Sequence, residues 1–268
     1  MNYYNLISMM PKTPAYDADA QAFITATGIS GTNASAINTL VIDLKAASIW
    51  TKMKAIYPMV GGTATTHKFN LVNAQDTDAA FRLSFVGGGT HSANGYLPNG
   101  VNSYANTFLT PTTSLTNNNT HLSFYSRTNS AGLYFDMGCG QIGGQYLDLA
   151  LNISGSIYSD QYNNSTGRIT TANANTQGFY ISSRTLSNVF KLFKNSAQIG
   201  TTNTGASTGF ASLSGSLVLS ALRETASIVY FSNRQCAFAS IGDGLTDAES
   251  LALYNAVNAF QVSLARNV

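Results

Sequence analysis

From residue 61 onward the chain breaks into short runs that alternate apolar and polar residues, separated by clusters of Gly, Asn, Ser and Thr. A period of two sends successive side chains to opposite faces of a strand, and the closely spaced turn residues leave no room for long helices. The pattern therefore predicts a mainly β domain of antiparallel strands. The runs that read as strands are 79–85, 122–127, 133–137, 146–153, 178–183, 189–194, 217–221 and 236–241, enough for two packed sheets. The stretch GGGTHSANGYLPNGVNSYANTFLTPTT (87–113) holds too many turn residues for a long strand and predicts an extended surface loop with one short strand.

Helical spacing appears only at the two ends of this region. Asp17 can cap a helix that runs to about Thr27 with Gly28 as its stop, and Asn33 or Ser35 can cap a second. In that second helix Ile37, Leu40, Val41, Leu44 and Ile49 share a face that continues irregularly through Trp50, Met53 and Ile56, so helices are expected over about 17–57. Trp50 reads as a core anchor at the end of this face. A last helix over 246–265 opens on the capping box Thr246/Glu249 and carries the stripe Leu253, Val257, Phe260 and Leu264. That stripe must lie on the N-terminal helices or on an outer sheet face, which makes 17–268 one domain. The preceding arm, 1–16, presents Tyr3, Tyr4, Leu6, Ile7 and Met9 with no clear helix start, and is expected to dock on a partner protein.

Composition excludes several function classes. The 268 residues are 44% hydrophobic and only 10% charged, so one large core is possible and the surface must rely on uncharged polar groups. A net charge of +2 without a run of Lys or Arg gives no footprint for nucleic acid or an anionic membrane. No stretch reaches the roughly 18 apolar residues of a membrane span. The N-terminal MNYYNLISMMPKTPAY lacks a basic and apolar secretory pattern, so synthesis in the cytoplasm is expected. Cys139 and Cys236 read as buried free thiols.

No catalytic constellation is expected either. There are two glutamates, Glu224 and Glu249, and the latter is a helix cap; no strand carries alternating acids, although Asp136, Asp148 and Asp160 could meet in space. Asp76 and Asp78 lack the further acids of a calcium site and read as a capped turn, and His67, His91 and His121 lack zinc spacing, so neither metal nor cofactor is expected. What remains is recognition through flat tyrosine faces and asparagine amides, a combination suited to sugars. Tyr96, Asn99, Tyr104 and Asn106 share one loop, and Tyr158, Tyr162, Asn163 and Asn164 share another; these are the candidate glycan-binding residues. FYSRTNSAGLYF (124–135) is echoed by FYISSRTLSNVFKLF (179–193), which reads as two hairpins with Arg127 and Arg184 on the more polar side of their strands.

The segments DADAQAFITATGI, INTLVIDLKAASIWTKMKAIYPMVGGTATTHKFNL, THLSFYSRTN, GFYISSRT and SNRQCAFASIGDGLTDAE together resemble a concanavalin-A-like, laminin-G-like module found in structural proteins of tailed bacteriophages, over about 17–266. The resemblance implies an antiparallel two-sheet jelly-roll sandwich with an N-terminal helical segment and a closing C-terminal helix. It implies a non-enzymatic virion protein, a capsid or tail decoration, appendage or fibre tip, with other virion proteins and copies of itself as partners. A bacterial surface glycan is the implied ligand. A dedicated carbohydrate-binding adhesin and a polysaccharide depolymerase are the alternative readings.

Overall fold

In the computed structural model, which describes residues 16–163 and 167–268, the Asp17 carboxylate accepts from the Asp19 amide at 3.0 Å and opens α1 (Ala18–Thr27). Gly28, at φ 70°, ends it as expected. Helix α2 (Gly31–Ala46) begins earlier than Asn33 or Ser35, with Ser30 as its N-cap, because Ala34 already faces the core. Ile37, Leu40, Val41 and Leu44 form the buried face that their spacing predicts. The helical expectation fails beyond Ala46. Met53–Tyr57 is instead β1, which pairs antiparallel with β17 (Cys236–Gly242). Its side chains serve two cores, Met53 and Ile56 beneath the helices and Ala55 and Tyr57 between the sheets, a two-sided demand that one helix face cannot meet.

The first sheet runs in the order β13 (Ala197–Asn203), β12 (Val189–Lys194), β11 (Gly178–Leu186), β6 (Thr120–Ser126), β17, β4 (Gly95–Leu97) and β3 (Thr90–Ser92), with β1 also on β17. The second runs β10 (Ile169–Ala172), β9 (Ser156–Gln161), β8 (Tyr146–Ile153), β7 (Met137–Gly140), β14 (Val218–Leu219), β5 (Tyr104–Asn106) and β2 (Ser84–Val86). To it β15 (Leu222–Glu224) adds in parallel on β7, and β16 (Ser227–Val229) pairs with β15. All other strand pairs are antiparallel, and the two sheets form the expected sandwich. The stretch 87–113 holds three short strands where one is expected, and 79–85 contributes a single 3₁₀ turn and the start of β2.

Two large cores follow from the alternation. Leu122 and Phe124 of β6, Tyr180 of β11 and Ala239 and Ile241 of β17 meet Met137, Cys139, Leu147, Leu149 and Ile157 between the sheets. Their alternate neighbours Tyr125, Phe179, Ile181, Ala237 and Phe238 point the other way, into α1, α2 and α3 (Asp247–Ser263). Helix α3 starts at the predicted capping box, both halves of which form, and Phe260 meets Phe238 edge to face at 6.5 Å. The outer face of the first sheet is thus covered by helices. Both cysteines are buried free thiols.

The echoed segments need a different account from two hairpins. β11 does turn back into β12, but β6 leads across the sandwich into β7 of the opposite sheet. The echoes themselves lie side by side, β6 antiparallel to β11, with Phe124 opposite Tyr180 and Tyr125 opposite Phe179. Both faces of that pair are covered, so Arg184 is not on a polar side; it is fully buried between the sheets, while Arg127 is half-buried and donates to the Arg266 carbonyl at 2.7 Å. Among the described residues, no helix is long and apolar enough to cross a membrane. The arm residues Tyr3, Tyr4, Leu6, Ile7 and Met9, like Asn164, lie outside the described residues.

Candidate functional site

The outer face of the second sheet is built from β7, β8, β9 and β15, and its shape begins with the sequence MGCG. In β7, Met137 and Cys139 enter the core between the sheets, so Gly138 and Gly140 face outward and place no side chain there. A Cβ on Gly140 would lie 2.1 Å from the Tyr146 ring, and one on Gly138 would lie 2.6 Å from the Asp148 Cβ. The two glycines therefore let Tyr146 and Asp148, which alternate outward along β8, settle over the neighbouring strand. The result is a groove of about 370 Å³. Phe135 and Leu222 line its apolar floor, packed with the buried Ala150, and Tyr146, Ile153 and Tyr158 pack around them. Tyr230, at φ 55°, forms part of the rim, its ring 5.5 Å from that of Phe135, and Leu133 is exposed beside it.

Polar groups enter this groove in a defined order. Asp148 on β8 stands directly opposite Asp160 on β9, and the Asp160 amide donates to Asp148 Oδ1 at 3.2 Å. Both residues are fully buried. Arg168, just ahead of β10, clamps Asp160 through Nε at 2.9 Å and Nη2 at 2.5 Å, and its guanidinium lies 5.4 Å from the Tyr158 ring centre. Asp148 Oδ2 has no hydrogen-bond partner among the described residues. Burial pushes the Asp160 carboxyl up to about 6 against the pull of Arg168. Burial, and then the charge of Asp160, raise Asp148 well above the usual carboxylate range. Across the floor the Tyr146 hydroxyl donates to Glu224 Oε1 at 2.6 Å, and burial, then that carboxylate, push the phenol up.

Of the sequence-predicted glycan-binding residues, the structure brings only Tyr158 to this groove, and of the three aspartates that could meet in space, Asp148 and Asp160 do so here. Tyr96 and Tyr162 are fully buried and present no face to solvent; Tyr96 stacks among Phe85 and His91, and the Tyr162 hydroxyl bonds Thr120 at 2.5 Å. Asn99 organises its own turn, accepting from the amides of Val101, Asn102 and Ser103, and Asn106 accepts from Ser216 Oγ at 2.6 Å. Tyr104 lies 6.3 Å from Phe231, and Asn163 is buried with its amide 3.5 Å from the Ala206 carbonyl. The loop residues thus hold loops together. Asp136 is bound by Arg234 and Ser232 inside the protein, away from the Asp148–Asp160 pair. Asp76 and Asp78 pair with Lys68 and Arg82. His67 and His91 do meet, Nδ1 to Nδ1 at 2.9 Å, but no cluster of three metal-ligating side chains exists among the described residues. The residues missed, Phe135, Tyr146, Arg168, Glu224 and Tyr230, carried one readable signal: YLDL puts Tyr146 and Asp148 on the face where MGCG is bare.

No protein-family model matches the sequence, and no curated protein does. Among solved structures the chain is similar to a mutant of Trypanosoma rangeli sialidase displaying trans-sialidase activity, with a TM-score of 0.54 and 10% identity over 82% of this chain and 39% of that one. It is also similar to domain 4 of an extracellular GH43 arabinanase from Geobacillus stearothermophilus in complex with arabinotriose, at a TM-score of 0.42 and 12% identity over 75% and 98% of the two chains. A CBM40 domain of an IT-sialidase from Ruminococcus gnavus, bound to α2,6-sialyllactose, matches at 0.37 and 17% over 50% and 82%. The first of these likenesses supports the sandwich fold; the identities are too low for any of them to assign the site.

Proposed function

We propose that this protein is a non-catalytic carbohydrate-binding sandwich that holds an uncharged stretch of glycan in the groove on the open face of its second sheet. The observation that carries this reading is the joint placement of Tyr146, Tyr158 and Tyr230 around a concave floor that also offers Asp148, Arg168 and Glu224. Flat aromatic faces cover the C–H surfaces of a sugar ring while a few fixed polar groups orient its hydroxyls, the usual division of labour in a small-ligand site. The opposite outer face is sealed by helices, so this is the broad sheet face left for a ligand.

A glycan array probed with a multimerised form of the protein tests this, since a single site is weak and multivalency raises the signal. Binding that disappears in a Tyr158→Ala/Tyr230→Ala variant with unchanged circular dichroism supports the groove. Background signal across the array, or equal binding by the variant, overturns it. Bound polysaccharide should keep its length on incubation; shortening would convert the reading to a depolymerase.

The sequence resemblance supports a location on the particle of a tailed phage, assembled with neighbouring virion proteins or further copies through the arm 1–16. Electron microscopy of intact particles locates the protein, and loss of incorporation on removal of residues 1–16 with retention of the fold is the expected result.

A further inference from the structure

The groove reading leaves one group unexplained, the Asp148 carboxyl. Two carboxyl groups face each other in register across β8 and β9, and both are buried. The groups that face Asp148 are Asp160 from β9, Arg168 from the segment before β10 and Tyr146 from its own strand; Glu224 of β15 lies beyond Tyr146, and β7 places Gly138 there, with the Cys139 thiol buried on the inner side of the same strand and electrostatically coupled to Asp148. One cation thus stands beside two carboxyls, and its short bonds go to Asp160. Two like charges cannot both be sustained in such a place, so the pair retains a proton, and it resides on the member without the arginine. Asp148 is then a carboxylic acid: Oδ1 accepts from the Asp160 amide, and Oδ2 carries a hydroxyl with no acceptor among the described residues. A buried donor left unpartnered is destabilising, so a ligand that supplies an acceptor gains by relieving it.

The surroundings of Asp148 narrow the choice of acceptor. Phe135 and Leu222 line the groove together with Asp148 and give it an apolar patch, packed with the buried Ala150 that follows Asp148 on the outward side of β8. A hydrogen-bond donor bordered by a patch of this kind matches a carbonyl oxygen that carries a methyl group. We propose that Asp148 recognises an acetamido group, its Oδ2 hydroxyl donating to the carbonyl oxygen while the methyl packs on Phe135 and Leu222, so that the ligand class is N-acetylated hexosamine glycans. The inference rests on the groove being a glycan site.

Calorimetry on the full chain with chitotriose and cellotriose, which differ by the acetamido groups, provides the test. Chitotriose should bind at least about tenfold more tightly than cellotriose, the scale expected when a site built for a polar group meets an analogue lacking it. Asp148→Asn keeps a neutral donor and should retain chitotriose binding within about threefold, whereas Asp148→Leu should lose at least about tenfold. Wild-type affinity should fall on the alkaline side as the pair gives up its proton, and the profile of Asp148→Asn should be flat above the range in which Asp160 titrates. Equal affinity for the two trisaccharides, loss of binding in Asp148→Asn, or unaltered binding in Asp148→Leu each overturns the proposal. The two readings fail differently: if neither sugar binds the wild type, the groove reading falls with it, while binding that depends on Tyr158 but not on Asp148 removes this inference alone. If Asp148→Leu does not fold, the Asp148→Asn profile still decides.

Discussion

Arg234 and Arg184 are both completely buried arginines in a chain with few charges, yet their surroundings assign them opposite energetic roles. The Arg234 guanidinium donates to Asp136 Oδ2 at 2.7 Å and to the carbonyls of Ser130 and Asn152, so every side of it is occupied. Arg234→Met leaves the buried Asp136 carboxylate without its counter-charge, with only Ser232 and the Leu151 amide donating to it, and should cost about 3–5 kcal/mol in urea unfolding. Arg184 has Nη1 on the Ser187 and Gly205 carbonyls and its plane 5.3 Å from the Phe190 ring, but its Nε and Nη2 have no partner. No carboxylate faces it among the described residues. Arg184→Met should therefore be neutral or stabilising by up to about 2 kcal/mol, since a desolvated, partly unpaired charge is exchanged for apolar volume. A loss of the size expected for Arg234 would refute this account.

His121 supplies the pH dependence at the same scale. Its Nδ1 can only donate to the Asp243 carbonyl at 2.6 Å, so Nε2 accepts from Ser240 Oγ at 2.9 Å and the ring is held neutral. Burial lowers its proton affinity to about 4 from 6.5. The folded state then binds fewer protons than the unfolded state, so the stability linked to His121 is complete above about pH 6.5 and is lost as pH falls toward about 4. Asp160, raised from 3.8 to about 6, acts in the opposite sense, its contribution being lost as pH rises through that range. The difference between wild type and His121→Gln isolates the histidine: the variant should lack an acid-side loss on the order of 3 kcal/mol over this window. Parallel stability profiles for the two proteins would contradict the assignment.

At the scale of elements, the glycines of β7 decide whether the groove exists. Gly140→Val places a branched side chain where the Tyr146 ring lies, which breaks the Tyr146–Glu224 bond and fills the floor. The expected outcome is loss of glycan binding with about 1–3 kcal/mol of destabilisation, the scale of an overpacked site. Intact binding would mean that sugar contacts lie elsewhere.

Element identity was largely legible in the sequence wherever one local signal sufficed. β8 and β12 fall on the predicted residues, and α3 starts at its capping box. What could not be read depends on pairing over distance. Met53–Tyr57 looks like the continuation of a helical face until β17 is beside it, and nothing in 122–137 says that the chain crosses to the other sheet between β6 and β7. The site was less legible for the same reason. Tyr and Asn in turns draw attention as sugar contacts, but the turns spend those groups on themselves, as at Asn99. The groove gathers its residues from segments scattered over about 100 positions, and only Tyr158 and the possible meeting of Asp148 with Asp160 announced themselves.

At the scale of the whole molecule, β6, β11 and β17 stand between two cores. Each gives alternate side chains to the helices and to the opposite sheet: Tyr125 and Phe124, Phe179 and Tyr180, Phe238 and Ala239. Removing the helical layer would expose the outer half of the strands on which the sandwich is built, so the layers should unfold together rather than as separate units. The single Trp50 gives a probe for the helical side, half-buried against that core with Lys45 Nζ 5.6 Å from its ring, while far-UV circular dichroism reports mostly on the sheets. In urea the two signals should trace one transition. Phe260→Ala, which removes the α3 ring that meets Phe238, should shift both midpoints by the same amount and cost about 3–5 kcal/mol. Were the fluorescence transition to move ahead of the dichroism, the helices would be a detachable cover, and the claim that the central strands bind both layers into one cooperative unit would fail.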